Sequence, residues 1–205
     1  MRKGKNILEK MNNIIYKVNS NNLLVFIQKF PKLLPVLKIL NNNKINWLIG
    51  GSSCLFLLGN KRIPDDVDIF VPDLEHDKVD QILNMESYTH TSPAGPVRNS
   101  NPDGDHSLQF TSHLEFNFDN NYKFEVTDSV LKEKITFEHN GVAINLLPPE
   151  DVLLIKALLQ RGKAEGKCDI EDIGKFREIY QINKNYLSSR ITKLGAESRV
   201  GNIFN

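Results

Sequence analysis

Trp47-Leu48-Ile49-Gly50-Gly51-Ser52, followed ten positions later by Arg62-Ile63-Pro64-Asp65-Asp66-Val67-Asp68-Ile69-Phe70, is the stretch on which the fold turns. Ile45 to Ile49 is a short apolar run that reads as a strand closing into a glycine turn. Ser52 or Ser53 can cap a helix from Cys54 to about Leu58, because a serine hydroxyl accepts one of the unpaired amide hydrogens of the first turn. Val67 to Val71 reads as the next strand, with Asp66, Asp68 and Phe70 on one side and Val67, Ile69 and Val71 on the other. That period of two directs both carboxylates to one face, where they can share cations. Hard divalent ions such as magnesium favour carboxylate oxygens beside substrate phosphates. The glycine pair lets the backbone approach a phosphate, and the amides at the start of the following helix face the same anion. Alone, Asp-x-Asp is often two solvated acids and Gly-Gly-Ser a tight turn. Together, with Asp66 fifteen positions after Gly51 and Arg62 four before Asp66, they point to a metal site adjoining a phosphate site.

Outward from this stretch, the preceding chain reads as helical. Ile7, Leu8, Met11, Ile14, Ile15 and Val18 have the spacing of an amphipathic helix, and Leu23 to about Leu40 reads as two short helices broken by Pro31 and Pro35. Following it, Asp73 can cap a helix to about Met85 with Val79, Ile82 and Leu83 inward. Thr89 to Ser107, rich in Pro, Gly, Ser, Asn and Asp, reads as a long loop without its own structure, with Arg98 and His106 as weak hints of a lid. Leu108–Phe110, Leu114–Phe118 and Tyr122–Val126 are strand-like, and Asn140-Gly141 signals a hairpin between Ile135–Phe137 and Val142–Leu147. After Pro148 and Pro149 the chain turns helical, and its last residues look frayed. The phenylalanines on strands read as core. The five histidines, in no metal-binding spacing, read as surface or hairpin residues.

Composition sets the limits. The 205 residues are 40% hydrophobic and 25% charged, with a mean hydropathy of -0.34, the values of a soluble globular chain. The longest apolar runs, Leu23–Ile27 and Cys54–Leu58, fall far short of the roughly 20 residues that span a bilayer. No secretory signal pattern follows Arg2, Lys3 and Lys5, so the expected compartment is the cytoplasm, where Cys54 and Cys168 would be reduced thiols. The net charge of +1 hides an asymmetry: residues 1–44 carry nine Lys or Arg against Glu9 alone, so this stretch is +8 and the rest -7. Such a basic arm can contact RNA or another polyanion, dock on the body's own acidic face, or be a solvated helix surface.

The apolar strand, Gly50-Gly51-Ser52, the short helix and the Asp-x-Asp strand introduced by Arg62 resemble the DNA polymerase beta-like nucleotidyltransferase superfamily. That resemblance covers roughly residues 45–180. It implies an α+β protein, a mixed β-sheet with packed helices, with a nucleotidyltransferase-like core (45–148) and a C-terminal helical segment (149–205); the basic helical arm (1–44), read from its charge and periodicity, lies outside it. The superfamily places a third carboxylate on a later strand of the same sheet, for which Glu125 is the best match and Glu115 the competitor. The segment from Asp151 through Arg161, Lys163, Asp169, Glu171 and Asp172 resembles minimal and abortive-infection toxin-type nucleotidyltransferases, in which a helical lysine, here Lys156, faces the nucleotide. The implied activity is transfer of a nucleotide from a nucleoside triphosphate to a hydroxyl of a small molecule, an RNA end or a protein, with a cognate partner protein possible. Two magnesium ions, or manganese, would be held by Asp66, Asp68 and Glu125. Gly50, Gly51, Ser52, Ser53, Arg62 and Lys156 would bind the nucleotide, unless Arg62 serves only to pair with Asp65 or a neighbouring acid. The rival reading is a non-catalytic nucleotide or RNA binder that keeps the fold.

Overall fold

The computed structural model describes residues 14–92, 95–101, 107–118 and 120–204, and from Glu86 to Asn101 the backbone only. Two short helices form as expected, α1 (Ser20–Lys29) and α2 (Leu33–Asn42), but only Pro31 divides them. Pro31 lies between them, and Pro35 falls in the first turn of α2, where its missing N–H removes no intrahelical bond. Asn19 caps α1 by accepting from the Asn22 amide. The helix expected around Ile7–Val18 lies largely outside the described residues, and 14–19 has no regular structure.

The chain continues as β1 (Leu48–Ile49), α3 (Gly51–Leu57), β2 (Val67–Phe70), α4 (Asp73–Leu83), β3 (Glu86–Ser92), β4 (Gly95–Asn101), β5 (Leu108–Thr111), β6 (His113–Asn117), β7 (Asn121–Glu125), α5 (Asp128–Lys132), β8 (Ile135–His139), β9 (Val142–Leu146), α6 (Pro149–Leu159), α7 (Asp169–Ile179), α8 (Lys184–Leu194) and α9 (Glu197–Phe204). The main sheet runs in the order β3-β4-β5-β2-β1-β9-β8, and β6 and β7 form a separate hairpin. β2 is antiparallel to β1 and parallel to β5, and β1 is parallel to β9, so the sheet is mixed and the fold α+β. Asn140 and Gly141 both take positive φ, at 51° and 74°, the geometry of a type I′ hairpin turn.

Five expectations need correction. Of the loop expected from Thr89 to Ser107, residues 89–92 and 95–101 belong instead to the antiparallel pair β3–β4 at one edge of the main sheet, while 93–94 and 102–106, with His106, lie outside the described residues. An edge hairpin is held by backbone hydrogen bonds and needs no apolar alternation, so its polar composition concealed it. The last residues are not frayed: α9 buries Val200 against the core. Ser52 and Ser53 lie inside α3, whose N-cap is Gly50, and Asp73 lies inside α4, whose N-cap is Pro72. His76 on α4 is buried, not a surface residue.

One hydrophobic cluster runs through the molecule, from Leu23 and Phe26 on α1 through Trp47, Ile49, Phe110 and Phe124 to Phe176 and Val200. α6 passes through its centre, with every residue from Pro149 to Leu158 buried. A helix hydrophobic almost all round belongs in a core, so its lysine, Lys156, is drawn inside. Among the described residues no helix is long and apolar enough to cross a membrane.

Candidate active site

β1 delivers the chain to the glycine pair, and β2 brings the aspartates beneath it. The Gly50 amide donates to the Asp68 carbonyl at 2.9 Å, and Ser53 Oγ donates to the Asp66 carbonyl at 2.7 Å, so the bend is fastened to the acid strand at both acids. Gly51 has φ +55°, and a Cβ there would collide with Asp68 Oδ2. At Gly50 a Cβ would strike the Phe70 ring. Glycine is therefore required twice, once for backbone conformation and once for close approach. Gly51→Ala is expected to destabilise the protein by about 1–3 kcal/mol and to displace the Asp68 carboxylate. A thermal melt and a metal titration of the variant check both effects.

Burial, and then the charge of Asp66, push the Asp68 carboxyl up to about 6, while Lys167, Lys156 and Arg161 pull it down. Two carboxylates that repel one another on one strand face suit a hard divalent cation, which relieves that repulsion. Asp66 and Asp68 thus fit a divalent metal by donor chemistry.

Beside the pair lies a ladder of ions. Arg62 Nη2 donates to Ser52 Oγ and Asp172 Oδ2, both at 2.7 Å. Lys156 Nζ lies 2.9 Å from Asp172 Oδ2 and 3.0 Å from Asp169 Oδ1, and also reaches Ser52 Oγ at 3.4 Å. Arg161 closes the ladder on Asp169 Oδ2 at 2.9 Å. Arg62 therefore pairs with a neighbouring acid, but on α7 rather than at Asp65. Three cations meet two carboxylates, which leaves the ladder one positive charge in excess. Burial alone would raise the Asp169 and Asp172 carboxyls, but Arg161, Arg62 and Lys156 outweigh it and hold both below the usual carboxylate range.

The arm also reaches this site. Lys29 Nζ donates to the Pro64 carbonyl at 2.6 Å and lies 3.8 Å from Asp65, while Asn22 Nδ2 donates to the Phe56 and Asn60 carbonyls. α1 thereby braces the segment between α3 and Asp66, one form of the arm docking on the body.

Gly50, Gly51, Ser52, Ser53, Arg62, Lys156, Asp66 and Asp68 are brought together; Glu125 is not. Its strand, β7, belongs to the separate hairpin rather than to the sheet of Asp68. Tyr122 and Phe124 point into the core, so the alternation turns Lys123 and Glu125 outward, where they form an ion pair. Lys123 also approaches Asp73, which receives His113 Nδ1 at 2.9 Å, and Glu115 lies in the same group, 3.8 Å from His113 Nε2. Among the described residues, no three His, Cys, Asp or Glu side chains are arranged to hold a metal ion.

Two residues near the pair escaped the sequence reading. Lys167 acts on the charge of Asp68, and its signal was its place two residues before Asp169. Gln109 Nε2 donates to Asp66 Oδ2 at 3.4 Å from β5; only the β2–β5 pairing could have revealed it.

Strand, glycine bend, short helix and an Asp-x-Asp strand in a mixed sheet define a nucleotidyltransferase. The chain belongs to the family described as nucleotidyl transferase of unknown function (DUF2204), whose model matches residues 29–200, and it is a transferase enzyme of that class. Among curated proteins none matches it. A Thermotoga maritima protein described as a nucleotidyltransferase (TM1012) shares the fold, with a TM-score of 0.52 at 18% identity over 74% of this chain and 91% of its own. The lincosamide antibiotic adenylyltransferase LnuA aligns with a TM-score of 0.46 at 14% identity over 79% of this chain and 98% of its own. The antibiotic-resistance factor ANT(2'')-Ia aligns with a TM-score of 0.45 at 17% identity over 90% of each chain.

Proposed function

We propose that this protein transfers a nucleoside monophosphate from a nucleoside triphosphate to a hydroxyl acceptor, in the bend formed by Gly50, Gly51 and the Asp66–Asp68 strand. The observation that carries the reading is the contact between Gly51 and the Asp68 carboxylate, which makes the glycine bend and the acid pair one site. Asp66 and Asp68 would hold magnesium, or manganese in its place; such an ion supplies charge neutralisation on phosphoryl oxygens and holds attacking and leaving groups in line.

The protein's own residues account for the rest. The backbone at Gly50, Gly51 and Ser52 receives phosphate without side-chain obstruction. Ser52 Oγ already accepts from Arg62 and Lys156, so its own hydrogen is left for an acceptor such as a phosphate oxygen. Ser53 is committed to the Asp66 carbonyl and positions that acid. Lys156 is buried and paired, so it stabilises the leaving pyrophosphate through its field rather than by direct contact. Lys167, Lys156 and Arg161, in that order, act on the charge of Asp68, and of the three Lys167 and Arg161 are the less buried. Glu125 and Glu115 have no part in this site.

Incubation with each α-labelled nucleoside triphosphate, magnesium and a cell extract tests the reading. Label appearing on a discrete acceptor, absent with Asp66→Asn and Asp68→Asn combined, is the expected result. Label that ignores the double substitution would refute it.

A further inference from the structure

Glu115 and Glu125 lie on the separate β6–β7 hairpin, so any further donor to the acid pair must come from the strand that flanks it. β5 is the strand that lies alongside β2, parallel and in direct register: Val67 pairs with Leu108, Asp68 with Gln109, Ile69 with Phe110 and Phe70 with Thr111. Register partners on parallel strands project to the same face, so the side chain standing next to Asp68 is that of Gln109. Its neighbours Leu108 and Phe110 are buried on the opposite face, which fixes Gln109 toward the acids. The hydrogen bond from Gln109 Nε2 to Asp66 Oδ2, 3.4 Å long, shows that the amide reaches across to the more distant aspartate as well.

We propose that Gln109 is the third donor of the Asp66–Asp68 cation site, a neutral amide standing where the sheet has room for a carboxylate. The proposal rests on the assignment of that site to a divalent cation. A primary amide can serve both states of the site. Without a cation its NH2 group donates to anionic Asp66; with one, rotation about the terminal torsion presents the amide oxygen, a hard uncharged ligand. The side chains at this sheet face then carry a charge of -2 rather than -3. A site of lower charge binds a bare cation more weakly and leaves more of the ion's coordination to substrate phosphates. Gln109 also positions Asp66 directly, which no residue of the β6–β7 hairpin does among the contacts described.

The test is manganese binding to the full-length protein without nucleotide, followed by electron paramagnetic resonance, with magnesium as competitor and a thermal melt of every variant. Gln109→Glu is expected to tighten manganese binding by about tenfold or more and to enlarge the rise in melting temperature that manganese causes. Gln109→Leu, similar in volume but without donor atoms, is expected to weaken binding severalfold while the metal-free melting temperature changes little. Asp66→Asn is expected to abolish binding. If both Gln109 variants bind as the wild type does while Asp66→Asn loses the ion, Gln109 is no ligand and the proposal fails, with the acid site intact. If Asp66→Asn also binds normally, the cation site itself is wrongly assigned.

Discussion

Replacing Asp66 and Asp68 together by asparagine is expected to lower nucleotidyl transfer by at least about a thousandfold while leaving the protein folded. Divalent metal stabilises developing charge by several kcal/mol, and each 1.36 kcal/mol is a factor of ten in rate, so loss of both ligands removes three or more powers of ten. The folded state does not need these charges. Burial and the neighbouring Asp66 push the Asp68 carboxyl up to about 6, so its ionised form is a cost to the metal-free fold. That cost grows as pH rises from about 4 to about 6 and is full above it. The neutral amides should therefore raise the metal-free melting temperature at pH 8 and lose that advantage below pH 4. A variant that turns over normally, or that unfolds, would contradict this account.

The second large effect concerns stability. Lys156→Ala leaves Asp169 and Asp172 in the interior without the ammonium between them, at side-chain exposures of 0% and 5%. Breaking a buried pair by removing one partner costs about 3–5 kcal/mol. Arg62 and Arg161 still hold one carboxylate each, which places the expected cost at the low end. For a chain of this length each kcal/mol shifts the melting temperature by about 2–4 °C, so a fall on the order of 10 °C is expected at pH 7. The pH dependence gives the sign. In the wild type both carboxyls are held low, so their contribution is present above about pH 4 and is lost as pH falls through their folded values. Without Lys156 only one arginine opposes burial at each carboxyl, so both rise from those low values and their stabilising contribution shrinks. The gap between the two proteins should be widest at pH 7 and close below pH 4; melting curves across that range check it. Equal melting temperatures at pH 7 would mean the lysine is not part of the interior ladder.

The part of the site legible in the sequence is the part made by neighbours in the chain. Glycine before a short helix and acids two apart on a strand are local rules, and Gly51 against Asp68 follows from them once the two strands pair. What was misread depends on distant pairing. Glu125 has the apolar flanks of a sheet residue, but only the partner of β7 decides which sheet, and that partner is β6. Gln109 carries no charge to attract notice, and its place beside Asp68 is set by a register across some forty residues. The resemblance alone placed Lys156 facing the nucleotide; that its helix is buried, and that the lysine stands between α6 and the two acids of α7, depends on packing that the sequence does not display. The β3–β4 pair was hidden because an edge hairpin can be written in polar residues with Pro and Gly.

Crystals of the protein grown with manganese and a non-hydrolysable nucleoside triphosphate analogue allow the ion to be located by its anomalous scattering. The predicted result is a peak within bonding distance of the Asp66 and Asp68 carboxylates, with the triphosphate along the Gly50–Ser52 backbone. A peak held instead by Asp73, Glu115 or Glu125 at the β6–β7 hairpin would contradict the assignment of the active site.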